Sequence, residues 1–288
     1  MKNIFIFKII INSFKDFRND EGNILATSIS FNFILSSIPF TVLLGSLMGY
    51  FFEYFQNTQN ISTKESSVVI LEYIKNIFPM VKEEALMQLF NIQNYKLPLS
   101  IIGIIGLIFT STLLFEAIKF SFLKILNTVD THFLITRLVG FLIIFIIIII
   151  SFFLENFLSL FIYELQSYLK NIAFLNWILK TFEVYGFVIS LGVTIIFSFI
   201  LYYTFIRIFA RYKSYSTKTI LIGSLFFSII WNLLKNIYTI YLSKVSYLNV
   251  IYGSFTSLVI IFIWVYITTI LFLFSLELIK NIHKELDY

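Results

Sequence analysis

The stretch of sequence that decides the fold runs from Ile24 to Phe52 and reads ILATSISFNFILSSIPFTVLLGSLMGYFF. A helix of about 20 apolar residues, at about 1.5 Å per residue, crosses the ~30 Å hydrocarbon core of a bilayer. This stretch therefore predicts a transmembrane helix. It nevertheless carries Ser28, Asn32 and Ser36 at four-residue spacing, which places three polar side chains on one helical face. Lipid offers such a stripe no hydrogen bonds, so we expect it to face other helices or a hydrated cavity.

The composition indicates that bilayer is the solvent for most of the chain. Of its 288 residues, 59% are hydrophobic and 13% are charged, whereas soluble domains carry about 25% charged residues. The low charged fraction leaves too little polar surface for a water-soluble globule, which predicts an all-α integral membrane protein. The net charge of +5 gathers between apolar segments, where membrane orientation explains it better than nucleic-acid binding.

Six apolar segments predict six transmembrane helices in one polytopic domain, 1–288. Residues 3–18 predict an amphipathic helix in the cytoplasmic headgroup region, because a basic face accompanies an apolar one. Residues 56–97 are polar and predict a small helical cap outside the membrane. The predicted spans are roughly 24–52, 99–114, 133–154, 182–206, 219–242 and 255–278.

Basic residues are more frequent in the segments on the N-terminal side of the predicted membrane than on the other side. Because cytoplasmic loops carry an excess of Lys and Arg, both termini are expected in the cytoplasm.

The sequence offers no catalytic or metal-binding pattern. It has no cysteine, which excludes disulfides and thiolate metal sites. His132 and His283 form no metal-ligand motif, and neither a P-loop nor a GxSxG sequence occurs. We therefore expect no enzyme activity, no metal and no cofactor.

Motifs at the end of the chain occur in an ordered series. Tyr252-Gly253-Ser254 stands at the entry to the sixth predicted span, Trp264-Val265-Tyr266 in its middle, and Glu277 near its end. In this order they resemble the YihY/BrkB family of bacterial inner-membrane proteins, once mislabelled as ribonuclease BN. Upstream positions that fit the family pattern are Gly223 in the fifth span, Glu116 in the second, and Ala26, Phe31, Ser36 and Pro39 in the first.

Two motifs depart from the family pattern. The family's proline-glycine-alanine corresponds to Ile222-Gly223-Ser224, and its glycine-alanine-glutamate corresponds to Ser275-Leu276-Glu277. The resemblance implies a six-helix, multi-pass protein of the bacterial inner membrane. Some members are linked to serum resistance and others to handling of lipid A precursors, which implies export or transport.

Two polar helix faces have both a structural and a functional interpretation. Ser28, Asn32 and Ser36 could tie helices together, or could line a substrate path in which Pro39 loosens the helix. In the fifth span, Lys235 lies ~7 Å along the axis from the span centre. It could snorkel outward, or face the first-span stripe as a buried cation for an anionic headgroup. The residues of that fifth-span face are Asn232, Lys235, Asn236 and Thr239.

The remaining motif residues also leave alternatives open. Glu116 and Glu277 fall near helix ends, and Lys119 follows Glu116 by three residues, which permits a local ion pair. The alternative is a carboxylate pair that binds a proton or cation during transport. Gly253 is expected to allow a tight turn, and Trp264 and Tyr266 to serve packing.

Together these features favour a transporter or flippase-like protein for an amphipathic, anionic lipid or lipid precursor. Its expected partners are membrane lipids and not nucleic acid. The alternative is a non-transporting membrane scaffold or envelope assembly factor, and the oligomeric state stays open.

Overall fold

The computed structural model describes residues 2–59, 96–129, 176–210, 215–244 and 255–286. All regular secondary structure within these ranges is α-helical. The helices are α1 (Lys2–Asn19), α2 (Gly22–Gln59), α3 (Lys96–Leu126), α4 (Asn176–Phe209), α5 (Thr217–Lys244) and α6 (Phe255–Leu286).

Five of these helices are long and apolar enough to cross a membrane, which makes the chain a multi-pass membrane protein. They correspond to five of the six predicted spans. The third predicted span, 133–154, and most of the predicted cap lie outside the described residues. The candidate spans are Gly22–Leu47, Leu97–Leu126, Leu191–Phe209, Thr217–Tyr238 and Val259–Leu286.

The chain forms two compact units. One contains residues 32–114, and the other contains residues 1–31 and 115–288. Within the first, α2 and α3 approach closely: the hydroxyl groups of Ser46 and Ser100 are hydrogen-bonded. A Cβ atom on Gly103 would lie 3.1 Å from the backbone nitrogen of Leu43, so the helix backbones touch where this residue has no side chain.

The larger unit has an aromatic core. Tyr202 is fully buried, and its hydroxyl donates a hydrogen bond to the Phe272 carbonyl at 2.8 Å. Phe122 packs edge-on against Phe205, with ring centroids 5.3 Å apart. Because lipid tails are as apolar as these rings, the gain comes from close packing and ring geometry and not from escape from water. These aromatic contacts hold α3, α4 and α6 together.

The contact between α5 and α6 depends on a glycine. A Cβ atom on Gly223 would lie 2.2 Å from Cγ1 of Ile279, and Ile279 is itself fully buried. A side chain at position 223 therefore requires the buried Ile279 side chain, or the helix that carries it, to shift.

We predict that Gly223→Ala lowers the free energy of unfolding by about 1–3 kcal/mol, because overpacking outweighs the gain in helix propensity. Thermal unfolding of the detergent-solubilised protein measures the change. The matched control is Gly192→Ala in α4, where an added Cβ meets no atom within 4 Å. Equal effects of the two substitutions would show that the α5–α6 contact is not tight at Gly223.

Candidate functional site

Asn232 lies in a seam of small polar residues between α4 and α5. It is 4% exposed, and its amide donates to the Ser228 carbonyl at 2.9 Å and to Oγ1 of Thr194 at 3.5 Å. The hydroxyl groups of Ser198 and Ser228 lie 3.0 Å apart in the same seam. At Asn232 the polar face therefore joins α4 to α5.

Lys235 occupies a different side of α5. It is exposed, and its ammonium nitrogen lies 5.4 Å from the centroid of the Trp231 ring, a cation–π contact. Asn236 beside it is also exposed. The candidate span on this helix ends at Tyr238, so Lys235 lies within one helical turn of the span's end. The predicted polar face is thus divided into a buried amide and an exposed cation.

Trp264, one of the motif residues, belongs to an aromatic group beside Lys235. Its ring stacks on Tyr238 at 4.4 Å and lies 6.2 Å from that of Trp231. The hydroxyl of Tyr238 donates to the Ile260 carbonyl at 3.0 Å. Trp264 therefore joins α5 to α6. Tyr266 is half-buried.

The first-span stripe lies on α2 with unequal exposure. Ser28 is exposed and lies in the larger unit, whereas Asn32 is half-buried and Ser36 is buried in the smaller one. The hydroxyl of Ser36 donates to the Asn32 carbonyl at 2.8 Å, a bond back onto its own helix. Pro39 lies inside α2, and Glu116 is half-buried on α3. Tyr252, Gly253 and Ser254 lie outside the described residues.

The strongest polar arrangement surrounds Glu277, and most of its members were not predicted. Glu277 is fully buried, and its Oε2 lies 2.8 Å from Nζ of Lys280. The same ammonium donates to Oδ2 of Asp20 at 3.0 Å and lies 3.9 Å from Oδ2 of Asp16. Lys284 Nζ lies 3.9 Å from the same Asp16 oxygen. We call these five residues the α1–α6 ionic cluster.

The ionic cluster joins α1 to the C-terminal half of α6. Asn281 donates to the Ser13 hydroxyl at 3.2 Å, and the Phe17 ring packs edge-on against Phe274 at 6.0 Å. Ile9 completes the contact in a hydrophobic cluster with residues of α6. A sequence signal for this contact exists, since Ser13, Phe17 and Asp20 recur at helical spacing and face complementary groups on α6.

A tyrosine before α5 also faces Glu277. Tyr215 is buried, and its ring centroid lies 4.4 Å from that of His283. Burial raises the pKa of Tyr215 to about 12, and the nearby charge of Glu277 adds to this effect. Tyr215 is therefore neutral at physiological pH. The described residues contain no group of three His, Cys, Asp or Glu side chains that could hold a metal ion.

The family model for virulence factor BrkB matches residues 13–287. The chain belongs to the BrkB family. This confirms the resemblance found in the sequence and agrees with the multi-pass helical fold. No curated protein and no solved structure matches the chain. In this BrkB family chain, the motif residue Glu277 is the buried acid of the ionic cluster. The motif residue Gly223 lies where α5 contacts α6.

We predict that Lys280→Met lowers the free energy of unfolding by about 3–5 kcal/mol, because it leaves Asp20 and Glu277 without their cation. The double variant Glu277→Gln with Lys280→Met should recover part of this loss, since it removes a buried charge together with its partner. Thermal unfolding in detergent checks both values. Lys8→Met is the control: the Lys8–Glu285 ion pair is exposed on the lysine side, and such pairs contribute about 0–1 kcal/mol. A Lys280→Met effect as small as the control would contradict a stabilising cluster.

Proposed function

We propose that this BrkB family membrane protein is a transporter or flippase that moves an amphipathic, anionic lipid or lipid precursor. The supporting observation is Lys235, an exposed cation within a candidate membrane span. A lysine at the centre of a membrane helix costs about 2.5–3.5 kcal/mol. Its place near the span's end lowers that cost, because the side chain reaches the headgroup level there.

The neighbours of Lys235 suit an amphipathic guest. Trp231 holds the ammonium against its ring, and Asn236 adds an exposed amide on the next position. Trp264 and Tyr238 extend an aromatic surface from the same place. A phosphate or carboxylate would pair with the ammonium, and acyl chains would lie on the aromatic and aliphatic side chains.

The proposal also covers residues of α2, the cellular location of the protein and its driving force. Ser28, Asn32 and Ser36 are assigned to contacts with the polar part of the substrate, and Pro39 to a flexible point in the helix. The location proposed is the bacterial inner membrane, with both termini in the cytoplasm. The sequence contains no nucleotide-binding motif, so the driving force is an ion gradient, a partner or the substrate gradient itself, and no enzymatic step is involved.

A non-transporting scaffold or envelope assembly factor is the second candidate. The observation that favours it is the α4–α5 seam, in which Asn232, Ser198 and Ser228 satisfy one another. Polar residues of that kind hold helices together and need no substrate.

Lipid translocation in proteoliposomes separates the two candidates. Purified protein is reconstituted with a fluorescent anionic phospholipid, and the protected fraction is followed with a membrane-impermeant quencher. We predict that Lys235→Ala reduces the rate at least about tenfold, which corresponds to ~1.4 kcal/mol, whereas Lys235→Arg retains most of it. Transport of a zwitterionic analogue should depend less on Lys235.

The matched control is Arg207→Ala. Arg207 is also exposed, and its guanidinium lies 5.2 Å from the Tyr203 ring centroid one turn earlier in α4. This variant should translocate lipid at the wild-type rate. A wild-type translocation rate equal to that of protein-free vesicles would favour the scaffold. Equal reductions of the rate in Lys235→Ala and Arg207→Ala would show that Lys235 has no specific role in translocation.

A further inference from the structure

The α1–α6 ionic cluster contains more negative than positive groups. Asp16 comes from α1, Asp20 from the turn that follows α1 and Glu277 from α6, and they face the ammonium groups of Lys280 and Lys284. Three carboxylates and two ammonium groups leave one negative charge in excess. Because Glu277 is fully buried, an excess charge beside it is costly unless a further cation neutralises it.

Glu277 is the group at which this excess is most costly. Its side chain is 0% exposed, whereas those of Asp16 and Asp20 are partly exposed. Its Oε1 has no hydrogen-bond partner among the described residues. A proton on this carboxyl group would remove the excess charge and supply a donor for the Asp20 carboxylate, which contacts the same ammonium as Glu277.

We propose that the α1–α6 ionic cluster binds one proton on the Asp20–Glu277 carboxyl pair, and that α1 is docked on α6 while this proton is bound. The proton comes from solvent and adds to a carboxylate oxygen, so no other bond is made or broken. Proton loss restores the repulsion between Glu277 and the carboxylates of Asp16 and Asp20. That repulsion acts only while the helices are in contact, so α1 is released as the pH rises.

A proton fits this site better than a metal ion. The ammonium of Lys280 already lies between Glu277 and Asp20, at 2.8 and 3.0 Å, and would repel a divalent cation. A polar cleft of about 400 Å³ between the two helices borders the cluster at Asp16 and Lys284. Its lining residues are Asn12, Asp16, Asn281, Lys284 and Glu285.

Other titratable groups near the cluster have separate roles. Tyr215, with its pKa of about 12, stays protonated over the range in which carboxyl pairs titrate. Glu21 at the turn before α2 is paired with Lys124 of α3 at 2.6 Å. His283 contacts the Tyr215 ring. The test must therefore exclude His283 as the source of any pH dependence.

Spin-label distances in the full chain test the proposal without substrate or transport, so the result is independent of the proposed function. The chain has no cysteine, and Lys15→Cys on α1 with Lys218→Cys on α5 places labels at two exposed positions outside the cluster. In lipid nanodiscs, we expect one short distance near about pH 6 and loss of most of that population near about pH 9.

Conservative variants show which carboxyl groups bind the proton. Glu277→Gln should keep the short distance at both pH values, because the amide removes the excess charge without changing shape, and Asp20→Asn should do the same. His283→Phe should retain the wild-type pH dependence. A wild-type distance that does not change with pH would overturn the proposal. So would a pH dependence that survives in both amide variants or disappears in His283→Phe.

Discussion

The structure of the larger unit depends on one constraint: a charge removed from water must meet its counter-charge. The side chain of Lys280 is 5% exposed, and its ammonium is surrounded by carboxylates of two helices. Neither helix could bury its share alone, since an isolated charge in a medium of low dielectric costs several kcal/mol. The pairing therefore fixes the register of α1 against α6, and Ser13 with Asn281 reinforces the same register one turn away.

The same constraint governs the uncharged polar groups of the spans. The hydroxyl groups of Ser224 and Ser228 donate hydrogen bonds to carbonyls of their own helix, α5. The hydroxyl of Ser198 on α4 donates to the Ser224 carbonyl, which also accepts from Ser228. These contacts satisfy the hydroxyl groups of Ser198, Ser224 and Ser228, so the helices approach closely without leaving these groups unpaired in lipid. Gly223 allows a comparable approach on the other side of α5, where Ile279 of α6 fills the space that a side chain would need.

The sequence predicted the helical class, five of the candidate spans and the family, because these follow from apolar length and motif order. It did not predict the partners of individual polar residues. Asn232 and Lys235 lie three positions apart on α5, yet one is buried against α4 and the other is exposed. Sequence periodicity defines a helix face about 100° wide. Which residues of that face are buried depends on where the neighbouring helix packs. The ionic cluster was missed for the same reason: Lys280 follows Glu277 by three residues, but Asp16 and Asp20, which share its ammonium, lie at the other end of the chain.

The two faces of α1 show how the membrane completes this arrangement. Phe7 and Phe14 are 66% and 65% exposed, whereas Ile9, Ser13 and Phe17 are buried. The exposed side of α1 also carries Lys8, Lys15 and Arg18, so aromatic and basic side chains share that side while the inner side packs on α6. Such a distribution is stable where the outer face meets the boundary between acyl chains and headgroups. Backbone hydrogen bonds join α1 through the turn at Asp20 to the start of α2, so the docking of α1 lies directly before the point where the chain enters the first span.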